Sequence, residues 1–245
     1  MSKKPNLVVA AVGDKSQHTS WISGNKNFDL MLIYYGDDPE NENKYRSESD
    51  FFIKEKNVSK WKLIYSAFIN NIDLFSKYEY IWAPDDDCYL QCQDVNTMFS
   101  IMKKYNLWLA QPSVIDNINV PWSAHIPKIF LRYTNMVEPM APFFDMHTFF
   151  RLSETFNGSR VLSFAEALWS AILNNPKDKV AIVDVIKMSH TRPGGVNYDR
   201  YGAIDDHEEA REMLASFDRP HLTWNGKRLS EAMDNWEHIT FRVIS

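Results

Sequence analysis

Short apolar runs alternate along this chain with segments whose apolar residues recur at helical spacing. Three of these runs, with the polar residues that end them, are Leu7–Val12 with Gly13-Asp14, Asp29–Tyr35 with Gly36-Asp37, and Tyr80–Ala83 with the triplet Asp85–Asp87. Short runs that are apolar almost throughout predict strands buried on both faces. Strands alternating with helices predict an α/β sandwich with a mostly parallel central sheet. Because ligands bind outside the carboxyl ends of such strands, we expect these polar ends to converge.

The segments between the runs predict helices or loops. Ser59 is expected to cap a helix whose apolar stripe extends to Ile72, and Asp94 to cap a second helix. Residues 36–50 are polar and highly charged, which predicts a surface loop. Residues 113–135 are aromatic-rich and interrupted by prolines, which predicts an irregular segment.

The acidic triplet predicts a cation site. Side chains at i and i+2 of an extended segment point the same way, so Asp85 and Asp87 can converge while Asp86 points elsewhere. Adjacent carboxylates repel each other unless a cation or solvent separates them. Oxygen ligands of this kind suit Mg²⁺ or Mn²⁺, which often share their shell with phosphates. The alternative is a solvated acidic turn.

His190 and Arg192 follow the late apolar run Val180–Met188. A neutral imidazole at this strand end can complete a mixed oxygen and nitrogen shell, although a lone histidine is more often structural. A guanidinium two residues later can contact a diphosphate through two parallel hydrogen bonds.

Three further charged residues are candidates for the same site. Glu166 can serve as a general base or bind a sugar hydroxyl, or it can simply complete a helix-capping box with Ser163. Glu138 lies in an apolar, proline-bounded segment and needs either a salt bridge or a ligand. Lys60 can face the site or solvent.

Composition and missing motifs exclude several classes of function. The net charge is −5 and no long basic run occurs, which argues against nucleic-acid binding. No apolar stretch reaches the roughly 20 residues of a membrane span. No glycine-rich phosphate loop is present, so any phosphate must be held by a metal ion and isolated cations. Cys88 and Cys92 are expected to be reduced, and the chain cytoplasmic.

An ordered set of motifs spans residues 6–200. Its members are Asn6-Leu7, Tyr34-Tyr35-Gly36-Asp37, Lys60-Trp61, Tyr80-Ile81-Trp82 with Asp85–Asp87, Gln111-Pro112, Val137-Glu138 with Met140-Ala141-Pro142, and Val183-Asp184 with His190-Thr191-Arg192-Pro193. This set resembles a family of largely uncharacterised plant and bacterial proteins that is similar in fold to the metal-dependent GT-A glycosyltransferases. The resemblance implies a GT-A-like α/β/α sandwich. Residues 1–204 would form a nucleotide-sugar-binding catalytic domain, and residues 205–245 a C-terminal helical extension packed on it.

The resemblance also implies an activity and roles for individual residues. It implies transfer of a sugar from a nucleoside-diphosphate sugar, with UDP-sugar favoured, to a glycan or other hydroxyl acceptor. Mn²⁺ or Mg²⁺ would be held by the D-x-D residues Asp85 and Asp87 together with His190. Glu166, at the position of the family's W-G-x-D aspartate but without its tryptophan and glycine, and Glu138 would be the catalytic carboxylates. The residues expected at the donor are Gly13, Asp14, Asp37, Lys60, Asp85, Asp86 and Arg192.

Two other functions fit parts of the sequence. A sugar-phosphate nucleotidyltransferase would share the fold, but its first loop is usually rich in glycine and basic residues, unlike Gly13-Asp14-Lys15-Ser16. A non-enzymatic carbohydrate- or metal-binding module would explain the aromatic residues and the acidic triplet. The sequence leaves open whether transfer would invert or retain the sugar's configuration, and only inversion requires the carboxylate base.

Overall fold

The computed structural model describes residues 4–56, 59–116, 118, 121–158, 165–192, 206–217, 219–224, 226–231 and 237–245. The strands are β1 Asn6–Val12, β2 Phe28–Tyr34, β3 Phe51–Lys54, β4 Tyr80–Trp82, β5 Cys88–Tyr89, β6 Leu109–Asp116, β7 Leu131–Thr134, β8 Phe143–Asp145, β9 Val180–His190, β10 Thr223–Trp224, β11 Lys227–Arg228 and β12 Thr240–Ile244. The α-helices are α1 His18–Trp21, α2 Pro39–Glu48, α3 Lys60–Asn70, α4 Ile72–Phe75, α5 Cys92–Tyr105, α6 Met146–Leu152, α7 Ala165–Ile172 and α8 Asp206–Phe217.

One large mixed sheet forms the centre of the fold. Its strand order is β12-β7-β9-β6-β8-β4-β1-β2-β3, and β5 pairs with the end of β9. The strands β3, β2, β1 and β4 run parallel to their neighbours in that group, as do β6 and β9. The antiparallel strand β8 joins these two groups, and β7 and β12 extend the sheet in antiparallel fashion. Most residue pairs are parallel, which confirms the predicted α/β class.

Each face of the sheet is covered by helices. In β1, Leu7, Val9 and Ala11 pack against one core, which includes α3, α6, α7 and α8. The intervening residues Val8 and Ala10 pack against the opposite core, which includes α1, α2 and α5. Burial on both faces explains why this strand is apolar throughout.

The prediction of a loop over residues 36–50 is wrong in its centre. Helix α2 begins after Asp38, whose side chain accepts a hydrogen bond of 2.9 Å from the Glu40 amide, and Pro39 occupies the first helical position. Tyr45 is the one buried residue of this helix. A helix with so little buried surface carries no apolar stripe, so the periodicity could not reveal it.

Other local predictions also need correction. Residues 113–135 contain the second half of β6, the 3₁₀ turn Pro121–Ser123 and β7. Helix α5 begins at Cys92, so Asp94 lies in its first turn rather than at its cap. Ser59 does cap α3, but Ile69 and Ile72 at the end of the predicted stripe are exposed.

The C-terminal residues pack on the rest of the fold. Met213 and Leu214 of α8 are buried in the core that contains α3. Strand β12 pairs antiparallel with β7 at the edge of the sheet, so this part of the chain contributes a strand as well as a helix. Among the described helices, none combines the length and apolar character needed to cross a membrane.

Candidate active site

The acidic triplet lies in a loop held from two sides. The Ala83 amide donates to the Pro142 carbonyl at 3.0 Å, and the Asp85 amide donates to the Met140 carbonyl at 2.7 Å. Immediately after the triplet, β5 pairs with the end of β9 and places Cys88 opposite His190. The Thr191 amide and hydroxyl both donate to the Asp87 carbonyl at 2.9 Å. This pairing brings the end of β9 against the loop that contains Asp85–Asp87, here called the acidic loop.

Asp85, Asp87 and His190 form a candidate metal centre. Each offers one ligand atom, and these atoms lie within 4.8 Å of one another. Nε2 of His190 is 3.2 Å from Oδ2 of Asp87. The other oxygen of Asp87, Oδ1, is buried and accepts no hydrogen bond from any described residue. Two carboxylates and an imidazole are a donor set that suits Mn²⁺ or Mg²⁺.

Two cationic side chains neutralise the triplet. Nζ of Lys60 is 2.7 Å from Oδ1 of Asp85. Arg192 bridges two carboxylates, since Nη2 pairs with Oδ1 of Asp86 and Nε donates to Oδ2 of Asp87 at 3.1 Å. Burial alone would raise the pKa of Asp87, but the His190 and Arg192 contacts outweigh it and hold the pKa below its ordinary value.

Asp86 has a different role from its neighbours. Its Oδ2 accepts hydrogen bonds from the Gly13 amide at 2.8 Å and from the Tyr35 hydroxyl at 3.2 Å. These contacts tie the ends of β1 and β2 to the acidic loop. A Cβ at Gly13 would lie 3.0 Å from the Tyr35 ring, so the close packing there favours glycine. Asp86 is not part of the candidate metal-ligand group, although Arg192 joins it to Asp87.

Glu138 interacts with Asp85, His190 and Lys60, and Glu166 interacts with Glu138. Burial, and next the Asp85 carboxylate, raises the pKa of Glu138 to about 7. Burial, opposed by a hydrogen bond to its own backbone, raises the pKa of Glu166 to about 8, with a further contribution from Glu138. Oε2 of Glu166 is buried without a hydrogen-bond partner among the described residues. Ser163, its expected capping partner, lies outside the described residues.

The remaining predicted donor residues lie near the ends of β1 and β2. Asp14 accepts a hydrogen bond from the Tyr34 hydroxyl. Asp37 is largely exposed and forms an ion pair of 2.6 Å with Lys56. Their expected contacts with a nucleotide therefore remain predictions.

Three residues support the site without having been assigned a role from the sequence. Tyr35 donates to Asp86, Thr191 fixes the backbone of the triplet, and Oε1 of Gln111 accepts a hydrogen bond of 2.5 Å from the Glu138 amide. Each lies within a motif described above, but their contacts join distant parts of the chain. Only the motif membership could have drawn attention to them.

Comparisons with known proteins identify the fold. No protein-family profile and no curated protein matches the chain. The structure of S. aureus TarS fragment 1–349 in complex with UDP-GlcNAc superposes with a TM-score of 0.58 at 11% sequence identity, covering 86% of this chain and 65% of TarS fragment 1–349. GalNAc-T7 with UDP, GalNAc and Mn²⁺ superposes with a TM-score of 0.57 at 11% identity, covering 78% of this chain and 43% of that protein.

This chain thus spans less than two thirds of either protein's length in those structures. At such low identity the likeness establishes the fold alone, and the chemistry has to be argued from the side chains of the site. The fold is that of the GT-A glycosyltransferases.

Proposed function

We propose that this protein is a metal-dependent glycosyltransferase that moves a sugar from a nucleoside-diphosphate sugar to a hydroxyl acceptor such as a glycan. The observation that carries the proposal is the cluster of Asp85, Asp87 and His190 in a GT-A fold. The half-buried carboxyl group of Glu138 interacts with this cluster, and the buried Glu166 interacts with Glu138. UDP-sugars are favoured as donors because TarS and GalNAc-T7, which share this fold, were crystallised with UDP-GlcNAc and with UDP.

The donor would bind at the end of the sheet where β1 and β4 end and the acidic loop begins. Asp85, Asp87 and His190 would hold the cation, whose positive charge stabilises the charge that develops on the leaving diphosphate. Arg192 pairs with Asp86 and Asp87, has about a quarter of its side chain exposed, and would contact the same diphosphate. Gly13, Asp14 and Asp37 follow β1 and β2 and are the candidates for contacts with the nucleoside.

Glu138 is the better candidate for a base in an inverting reaction. A general base works best when its pKa lies near the working pH, and the pKa of Glu138 is about 7. A cation at Asp85 would lower this pKa, because positive charge favours the carboxylate. Glu166, with a pKa of about 8, is mostly protonated at pH 7 and is better suited to donate a hydrogen bond.

We further propose that residues 1–204 form the catalytic domain and that residues 205–245 stabilise it. The Ile239 amide donates to Oδ1 of Asn135 at 2.9 Å, and the Asn135 side chain donates to the Glu237 carbonyl at 2.8 Å. Asn135 lies three residues before Glu138 in the sequence. These contacts support a role for the C-terminal residues in holding the segment that carries Glu138.

A donor screen tests the proposed function. The protein is incubated with a panel of nucleotide sugars and Mn²⁺, and slow release of nucleoside diphosphate is measured. Release from a UDP-sugar that stops on chelation of the metal supports a glycosyltransferase. Formation of pyrophosphate from UTP and a sugar phosphate would instead indicate a nucleotidyltransferase. Binding of sugars without turnover would indicate a non-enzymatic module.

A further inference from the structure

Arg192 occupies the carboxylate that a cation would need. Its Nε donates to Oδ2 of Asp87 at 3.1 Å, and Nε2 of His190 is 3.2 Å from that same oxygen. The Arg192 Nη2 also pairs with Asp86. Oδ2 of Asp87 is therefore shared by the guanidinium of Arg192 and the imidazole of His190.

A guanidinium on one buried carboxylate disfavours a cation at the same place. Asp87 is 7% exposed, and its Oδ1 has no hydrogen-bond partner among the described residues. One ligand position is thus open while the adjacent oxygen is already neutralised by Arg192. A divalent cation that approaches Asp87 and His190 meets the guanidinium at contact distance, where like charges repel strongly in a partly desolvated site.

We propose that Arg192 is the resident counter-ion of the acidic triplet and makes binding of the cation depend on binding of the diphosphate. This inference rests on the proposed function and adds an order of events to it. Without nucleotide, Arg192 pairs with Asp86 and Asp87, so the cation binds weakly. When a diphosphate is present, the guanidinium exchanges Asp87 for phosphate oxygens and the cation takes its place.

The chemistry of the guanidinium suits this exchange. Its planar fork pairs equally well with two carboxylates or with two phosphate oxygens. About a quarter of the Arg192 side chain is exposed, so a ligand in solution can reach it. Asp86 does not depend on Arg192 alone, because Gly13 and Tyr35 also donate to it. Moving the guanidinium therefore leaves Asp86 with two of its partners.

Metal binding without turnover tests the inference. The dissociation constant of Mn²⁺ is measured by electron paramagnetic resonance, with and without saturating UDP, for wild type and Arg192→Gln. The control is Arg46→Gln, which removes an exposed arginine paired with Glu42. In Arg192→Gln we expect Mn²⁺ alone to bind about tenfold more tightly, and UDP to enhance that binding less than it does in wild type. Arg46→Gln should match wild type.

Opposite results would overturn the inference. If Mn²⁺ alone binds Arg192→Gln no more tightly than wild type, Arg192 does not compete with the cation, while the proposed function stands as long as wild type binds Mn²⁺ and UDP together. If wild type binds neither ligand, the proposed function fails and this inference fails with it. Arg192→Met, which also removes the positive charge, covers the case in which the glutamine variant does not fold. Mn²⁺ binding to Arg192→Met that is no tighter than wild type also overturns the inference.

Discussion

Lys60 reaches Asp85 from the first turn of α3, with Nζ at 2.7 Å from Oδ1. The same ammonium donates to the carbonyls of Pro139 and Met140, each at 2.9 Å. An ammonium has three N–H donors, and these three acceptors account for all of them. Lys60 thereby connects the acidic loop to the segment that carries Glu138. This connection does not depend on any contact between Lys60 and a bound nucleotide sugar.

Replacing Lys60 by methionine should weaken both the fold and the proposed activity. The substitution leaves the carbonyls of Pro139 and Met140 without their donor, which lowers the free energy of unfolding by about 1–3 kcal/mol. Transfer should fall more than UDP affinity, because Glu138 loses its position. Urea unfolding and donor turnover measure the two effects. Lys62→Met, on the same helix, is the control, and equal effects of the two variants would contradict this role.

Asp87→Asn tests the metal centre directly. The amide keeps the size of the side chain but removes a charged ligand from the group formed with Asp85 and His190. Since losing even a supporting residue of a metal site weakens binding about 10- to 100-fold, we expect at least that loss in Mn²⁺-dependent UDP affinity. Calorimetry with UDP and Mn²⁺ provides the measurement. Asp73→Asn, on α4, is the charge-matched control, and unchanged affinity in Asp87→Asn would remove Asp87 from the site.

The strands of the core were predictable because burial on both faces leaves a strong pattern. Leu7–Val12 has no exposed residue and reads as a strand from its sequence alone. Helix α2 and strand β12 bury little of their surface, so neither carries a clear period. Their positions depend on partners elsewhere in the chain. For β12 that partner is β7, about a hundred residues away.

The contacts of the site also divide into those that the sequence predicts and those that it does not. The side chains of Asp85, Asp87 and His190 come together because the aspartates follow β4 and His190 ends β9, and both strands end at the same edge of the sheet. Topology alone therefore predicts their convergence. The contacts of Lys60 with two backbone carbonyls have no counterpart in the sequence, since every residue has a carbonyl group. A prediction from sequence can name Lys60 but not the segment that it holds.

Glu138→Gln should abolish transfer while donor binding persists. Loss of a general base lowers turnover by roughly 10²–10⁴-fold. Because the pKa of Glu138 is about 7, wild-type kcat/KM should rise with pH through this region and then level off, and a bound cation shifts the rise to lower pH. The variant should lack the rise. A retained rise with full turnover would exclude Glu138 as the base and leave Glu166 to be tested by the same substitution.

Glu166→Gln should stabilise the protein, and more so at alkaline pH. The folded pKa of about 8 lies above the ordinary value of 4.5, so the folded state keeps its proton between these values while the unfolded state releases it. Stability of wild type therefore falls as pH rises from 4.5 to 8. Glutamine removes this dependence, a difference of up to about 3 kcal/mol between pH 5 and pH 8. Denaturation at several pH values measures it, with exposed Glu154→Gln as the control; a pH-independent difference would contradict the raised pKa.

Arg132 and Asp184 form a buried ion pair that holds a loop against the sheet. Nε of Arg132 donates to Oδ2 of Asp184 at 2.8 Å, and the pair is almost wholly inaccessible to solvent. The guanidinium also donates to the carbonyls of Trp122 and Ala124, and Asp184 accepts from the Ile126 amide. Because removing one partner leaves an uncompensated buried charge, Asp184→Asn should lower the free energy of unfolding by about 3–5 kcal/mol.

The double variant Arg132→Met, Asp184→Leu shows whether the lost stability comes from that unpaired charge. Removing both charges should restore part of the loss, because no buried charge remains. Recovery should be incomplete, since the carbonyls of Trp122 and Ala124 still lack the donor that Arg132 supplied. Urea unfolding of both variants, with Glu79→Gln at the exposed Lys103 pair as the control, makes the comparison.

Hydrogen exchange should also become faster at the Ile126 amide in both variants, because Asp184 no longer accepts from it as a carboxylate. If the double variant is less stable than Asp184→Asn, the charge is not the cause, and the loop contacts themselves account for the loss.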